Sequence, residues 1–116
     1  MLPEERDAAY LWDMIEAAKE VSDMISGLTM LDFLDNKILL RAAERNIEII
    51  GEAASRISES FRETHPQIPW RQIIGQRNII VHEYGKIDYE MLYQTAINDI
   101  PELISAIEPL LPPLDS

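Results

Sequence analysis

The chain has 116 residues, 47% of them apolar, a formal net charge of -11 and no cysteine. That length builds one domain with a real core, near the size at which a second copy helps, and the missing cysteine excludes a disulfide framework, a thiolate zinc site and a cysteine nucleophile. No stretch nears the roughly 18 consecutive apolar residues of a membrane span, and the acidic start MLPEERDAAYLW has no cationic segment leading into an apolar run, so one cytoplasmic domain over residues 1–116 is expected.

Pro3 followed by Glu4 and Glu5 reads as a first helical turn, with proline where its missing N–H does no harm and acids that complement the dipole. Ala8, Leu11, Ile15, Ala18, Val21 and Ile25 recur at helical steps until Gly27, with an acidic, wet face opposite. Thr29 caps a short turn through Phe33, and Asp35 or Asn36 caps the next helix. From Leu39 the positions Ala43, Ile47, Ile50, Ala54, Ile57 and Phe61 predict one continuous seam of about six turns. Ala42, Ile49 and Ala53 form a second stripe, which suits either a partner or cover inside one subunit.

The prolines of THPQIP, Thr64 to Pro69, break helicity, and His65 within it reads as a solvated loop residue. A third helix is predicted from Trp70 to Tyr84, with Trp70, Ile73, Ile74, Ile80 and Val81 inward and Gly85 as its left-handed cap. Asp88 then caps a last segment carrying Leu92, Ala96, Ile100, Leu103, Ile107 and Leu110, which Pro101 should kink or divide and prolines 109, 112 and 113 end. The expectation is an all-α, up-and-down bundle of four to five helices.

Charge is unevenly spread. Residues 1–36 sum to -7, residues 37–86 to +2 and residues 87–116 to -6, so eight of the ten bases lie in the middle. This accommodates a cationic surface for phosphates, or merely differently solvated helix faces.

The chemistry concentrates in RNIIVHEY, Arg77 to Tyr84. Burying an unpaired neutral polar group costs about 2–7 kcal/mol and a charge more, so the cluster is either a satisfied interior network or a working site. On an ideal helix Asn78 and His82 share a face, whereas Arg77 and His82 stand about 140° apart. They converge only if the helix unwinds, the arginine swings across, or a second subunit completes the site. An imidazole that titrates near neutrality and a permanently charged guanidinium suit cleavage of RNA through its own 2'-hydroxyl. Asn78 could orient the imidazole or donate to phosphate. One carboxylate, Glu83, makes no divalent-metal site, so neither metal nor cofactor is expected.

The arginine, four residues, histidine, one residue and tyrosine, with asparagine after the arginine, resemble the signature of the HEPN superfamily (higher eukaryotes and prokaryotes nucleotide-binding). With RAAERNIEIIGEAA from Arg41, IPW from Ile68, Asp88 and the tail IPELISAIEPLL, the order resembles the HepT-like branch over most of residues 37–111. The resemblance implies an all-helical homodimer with the motif near its interface, acting as a metal-independent ribonuclease toxin on RNA. It makes Arg77 and His82 catalytic, Asn78 supporting, and Tyr84 the residue that a minimal nucleotidyltransferase antitoxin adenylylates. Gln76 departs from the apolar residue frequent there. A noncatalytic HEPN subunit that binds a nucleotidyltransferase or nucleotide, and a plain helical dimer, are the alternatives.

Overall fold

The computed structural model describes residues 3–80 and 87–112, with side-chain placement over 5–76 and 87–112. Its elements are α1 (Pro3–Ile25), α2 (Met30–Leu34), α3 (Lys37–Arg56), α4 (Glu59–Thr64), α5 (Trp70–Ile80), α6 (Tyr89–Gln94), a π turn (Thr95–Asp99), α7 (Ile100–Ile107) and a closing 3-10 turn (Glu108–Leu110). Among the described residues there is no β-strand, and the bundle is all-helical as the periodicity predicts.

α1 packs chiefly on α3 and α7. It buries Leu11, Met14, Ile15, Ala18, Val21 and Ile25, the predicted stripe apart from the half-buried Ala8. Each large side chain so removed from water contributes about 1.5–3 kcal/mol before the entropy of ordering it is counted. α2 opens on a capping box: Thr29 Oγ1 accepts the Asp32 N–H at 3.1 Å and the Asp32 carboxylate accepts the Thr29 N–H at 3.2 Å. Asn36, rather than Asp35, caps α3, its Oδ1 accepting the N–H groups of Ile38 and Leu39.

The predicted seam from Leu39 to Phe61 is not one helix. Ile57 leaves α3 in extended backbone, φ -69° and ψ 140°, and Ser58 starts α4 by accepting the Phe61 N–H on Oγ at 3.2 Å. The break is held from far along the chain. The Asp7 carboxylate on α1 accepts the Ser58 N–H at 2.8 Å and the Ser58 hydroxyl at 2.6 Å. Asp7 is buried one turn before Leu11 on the apolar stripe itself, while Glu5, Asp13, Glu16, Glu20 and Asp23 form the exposed acidic face that periodicity predicts. Of the second stripe, Ala53 is buried within the subunit while Ala42 and Ile49 are half-buried.

His65 lies in the connection as expected, just past the end of α4, but it is half-buried and not freely solvated. Its ring stacks on Phe61 with centroids 4.1 Å apart, and its Nδ1 lies 2.9 Å from the Phe61 carbonyl oxygen and 3.1 Å from Thr64 Oγ1. The imidazole is thus folded back on α4. Pro101 does not break the last segment, which stays helical from Tyr89 to Ile107 by passing through the π turn. The Ile100 N–H bonds the carbonyl of Thr95, five residues back, shifting the register just where proline has no N–H to offer.

Candidate active site

α5 carries the first half of the motif, and its placement is set at three points. At its start the buried Trp70 meets Phe61 edge-on at 6.2 Å and donates Nε1–H to the His65 carbonyl at 3.0 Å. Along its length Gly51 of α3 faces it, and a β-carbon there would lie 3.4 Å from the carbonyl oxygen of Ile73. A bare backbone at that point lets the two helices approach closely. Near its end Gln76, buried, donates Nε2–H to Thr95 Oγ1 at 3.1 Å, tying α5 to the π turn.

Arg77 and Asn78 follow directly, in the last turn of α5, with their side chains outside the described residues. His82 and Tyr84, and with them Val81, Glu83 and Gly85, lie outside the described residues altogether. The expected convergence of Arg77 on His82, and the cap at Gly85, therefore fall there too.

Beyond the motif, the Asp88 carboxylate caps α6 by accepting the Met91 N–H at 3.0 Å, as predicted. The Tyr89 hydroxyl donates to Glu44 of α3 at 3.2 Å. Burial raises the pKa of Tyr89 above the usual phenol value, and the Glu44 carboxylate raises it further, against a smaller opposing effect of Arg41. One turn on, the buried Tyr93 donates to the Leu28 carbonyl at 2.7 Å and meets Phe33 at 5.6 Å. Both ends of the motif are thus anchored: Gln76 to Thr95 on one side, Tyr89 to Glu44 on the other. Helical spacing puts Gln76 one turn from the inward Ile73 but does not name its partner Thr95, 19 positions on. Nothing in the local sequence joined Tyr89 to Glu44, which are 45 positions apart.

Beside Gln76 a cleft of about 160 Å³ opens between α3, α5 and α7. Its apolar walls include Ile47, Ile50, Ile73, Ile100 and Leu103, and Asp99 and Glu102 also line it. Two carboxylates and no base in the lining make it the wrong sign for a phosphate backbone.

Residues 14–110 match the family model described as Ribonuclease HepT-like. The chain belongs to the HepT-like ribonuclease family. Among relatives it is similar to the probable ribonuclease HepT of Thermococcus cleftensis, 37% identical over 87% of this chain and 92% of that one. It is also similar to a protein of Methanocaldococcus jannaschii provisionally named as an RNase, 37% identical over 86% of this chain and 92% of the relative. A provisionally named RNase of Caldanaerobacter subterraneus subsp. tengcongensis is 33% identical over 88% and 91%. No solved structure matches the chain at a significant level. The HepT-like match runs through α5, the motif and α6, and the all-helical bundle is the one expected of a HEPN-like domain.

Proposed function

We propose that this HepT-like protein is a metal-independent endoribonuclease, acting as a toxin on RNA, with Arg77 and His82 catalytic and Asn78 supporting. The observation that carries the reading is RNIIVHEY, which begins in the last turn of α5 and lies inside a family match covering residues 14–110. The relatives' names, each a ribonuclease, support RNA as substrate.

In this chemistry the nucleophile belongs to the substrate. The 2'-oxygen bonds the neighbouring phosphorus as its proton is removed, and the bond from phosphorus to the 5'-oxygen breaks with its electron pair on that oxygen, which takes up a proton. The products are a 2',3'-cyclic phosphate and a free 5'-hydroxyl. His82 suits the proton movement near neutral pH, and Arg77 suits the charge that grows on the phosphoryl oxygens. Asn78 donates to phosphate or orients the imidazole.

A two-fold homodimer with the motif near its interface fits the 140° separation of Arg77 and His82 on a helix, because a second subunit can complete a site one helix leaves open. A minimal nucleotidyltransferase is the proposed antitoxin, and adenylate on Tyr84 would put negative charge where the RNA phosphate must sit.

The experiment is RNA cleavage by the purified chain with EDTA present, followed by end-group analysis. Activity should persist and yield cyclic phosphate ends. His82→Ala and Arg77→Ala should each lower the rate by about 10² or more with little change in melting temperature. Parental cleavage by both variants, or loss of cleavage in EDTA, overturns this mechanism. A parent that binds the nucleotidyltransferase but never cuts RNA is a noncatalytic HEPN subunit.

A further inference from the structure

Lys37, Arg41 and Arg45 stand four residues apart along α3, so they share one face at intervals of about 6 Å. All three are exposed, in a chain whose net charge is -11. Among the described residues, Lys37 and Arg41 enter no ion pair. Arg45 reaches Glu48 at 3.4 Å and Glu52 at 3.9 Å with its side chain 62% exposed, a kind of surface pairing worth about 0–1 kcal/mol and easily exchanged. Beside them Ile38 is 81% exposed, an apolar side chain next to the cations.

The position of this row matters as much as its sign. α5 starts beside Phe61, just past the end of α3, and the chain after it returns to Glu44, so α5 runs back along α3 toward the basic end. Glu44 lies one turn from Arg41, and Arg41 is near enough to Tyr89 to act on its ionisation. The described chain leaves α5 at Ile80 and resumes at Ile87, two residues before Tyr89, whose hydroxyl meets Glu44 in the first half of α3. The cleft between α3, α5 and α7 carries two carboxylates, Asp99 and Glu102, and no base, and so disfavours phosphate.

We infer that the exposed row Lys37, Arg41 and Arg45 on α3 is the track that holds successive phosphates of the RNA strand as it enters the motif. The inference rests on the ribonuclease reading and names the surface that this reading lacks. The spacing of the row is comparable to that of neighbouring phosphates along a strand, and Ile38 offers an apolar edge to a sugar or base. Phosphate contacts of this kind position the strand without reading its sequence.

The test uses the full chain and a single-stranded 2'-O-methyl RNA oligonucleotide, which lacks the attacking hydroxyl, with binding followed by fluorescence anisotropy across a potassium chloride series. The double variant Lys37→Gln/Arg41→Gln should bind about tenfold or more weakly at low salt, and its salt slope should fall by about 0.7 for each phosphate that the row no longer neutralises. Arg56→Gln, at the far end of α3, should track the parent. On cleavable RNA the loss in the double variant should fall on KM more than on kcat.

Parental affinity and slope in the double variant overturn the track, as does an equal loss in Arg56→Gln, which would mean bulk charge alone. A change of oligomeric state in the double variant, with unchanged RNA affinity, would assign the row to a protein interface. If the parent cuts RNA and KM stays parental in the double variant, the track fails and the ribonuclease reading stands. If the slope changes as expected but no variant or parent cuts RNA, the track stands and the ribonuclease reading fails.

Discussion

The side-chain amide of Gln76 donates to the hydroxyl of Thr95 at 3.1 Å, and both residues are more than nine-tenths buried. This polar pair sits on a row where the helical period asks for an apolar residue, one position before Arg77. It joins α5 to the π turn and so sets the rotation of the helix that carries the arginine.

Breaking one side of that pair should cost more than removing both. Gln76→Met and Thr95→Val each leave the other group buried without its partner, a loss of about 1–3 kcal/mol, whereas the double variant should recover much of it. Urea unfolding of the four proteins measures the cycle. Strictly additive losses would show that the two groups are not coupled.

The Asp7 to Ser58 contact should be among the stronger polar contributions in the molecule, because one buried carboxylate accepts both the N–H and the hydroxyl. Asp7→Ala should lower stability by about 1.5–3 kcal/mol and Ser58→Ala by about 1 kcal/mol. Asp13→Ala, on the exposed face of the same helix, should stay within about 0.5 kcal/mol of the parent. Similar losses for Asp7→Ala and Asp13→Ala in chemical denaturation would contradict the assigned role.

Gly75 stands inside α5 with nothing within 4 Å of where a β-carbon would project. Gly75→Ala should therefore raise stability by about 0.5–1 kcal/mol, through helix propensity alone. The parent should scatter light as a dimer burying roughly 1,200 Å² or more. If Gly75→Ala instead weakens that dimer, the outer face of α5 is the seam between subunits.

Incubation with the cognate nucleotidyltransferase and ATP should add adenylate to Tyr84 and suppress cleavage. The nearby tyrosines are poor competitors: the Tyr89 hydroxyl is engaged with Glu44 and ionises less readily than a free phenol, and the Tyr93 hydroxyl is engaged with the Leu28 carbonyl. Tyr84→Phe should escape modification. Peptide mapping that places the adenylate on Tyr89 or Tyr93, or finds none while the partner still silences the protein, would show neutralisation by another route.

Local signals carried much of the architecture. The stripe from Leu11 to Ile25, the cap at Thr29 and the cap at Asp88 were each readable because the deciding interaction spans three or four residues, the reach of one helical turn. The motif was equally readable as a string, since its residue types and spacing are sequence properties, and the family that it resembles is the one to which the chain belongs. Tertiary structure decided what depended on distant partners. The seam through Ile57 has unbroken helical spacing, yet it breaks because Asp7, 51 positions away from Ser58, offers that serine a better set of hydrogen bonds. His65 is turned inward by Phe61 and carries Trp70 on its carbonyl. The anchoring of the motif by Thr95 and Glu44, and the alignment of α5 with the basic end of α3, exist only after the helices dock, because periodicity gives each helix a face and leaves open which neighbour meets it.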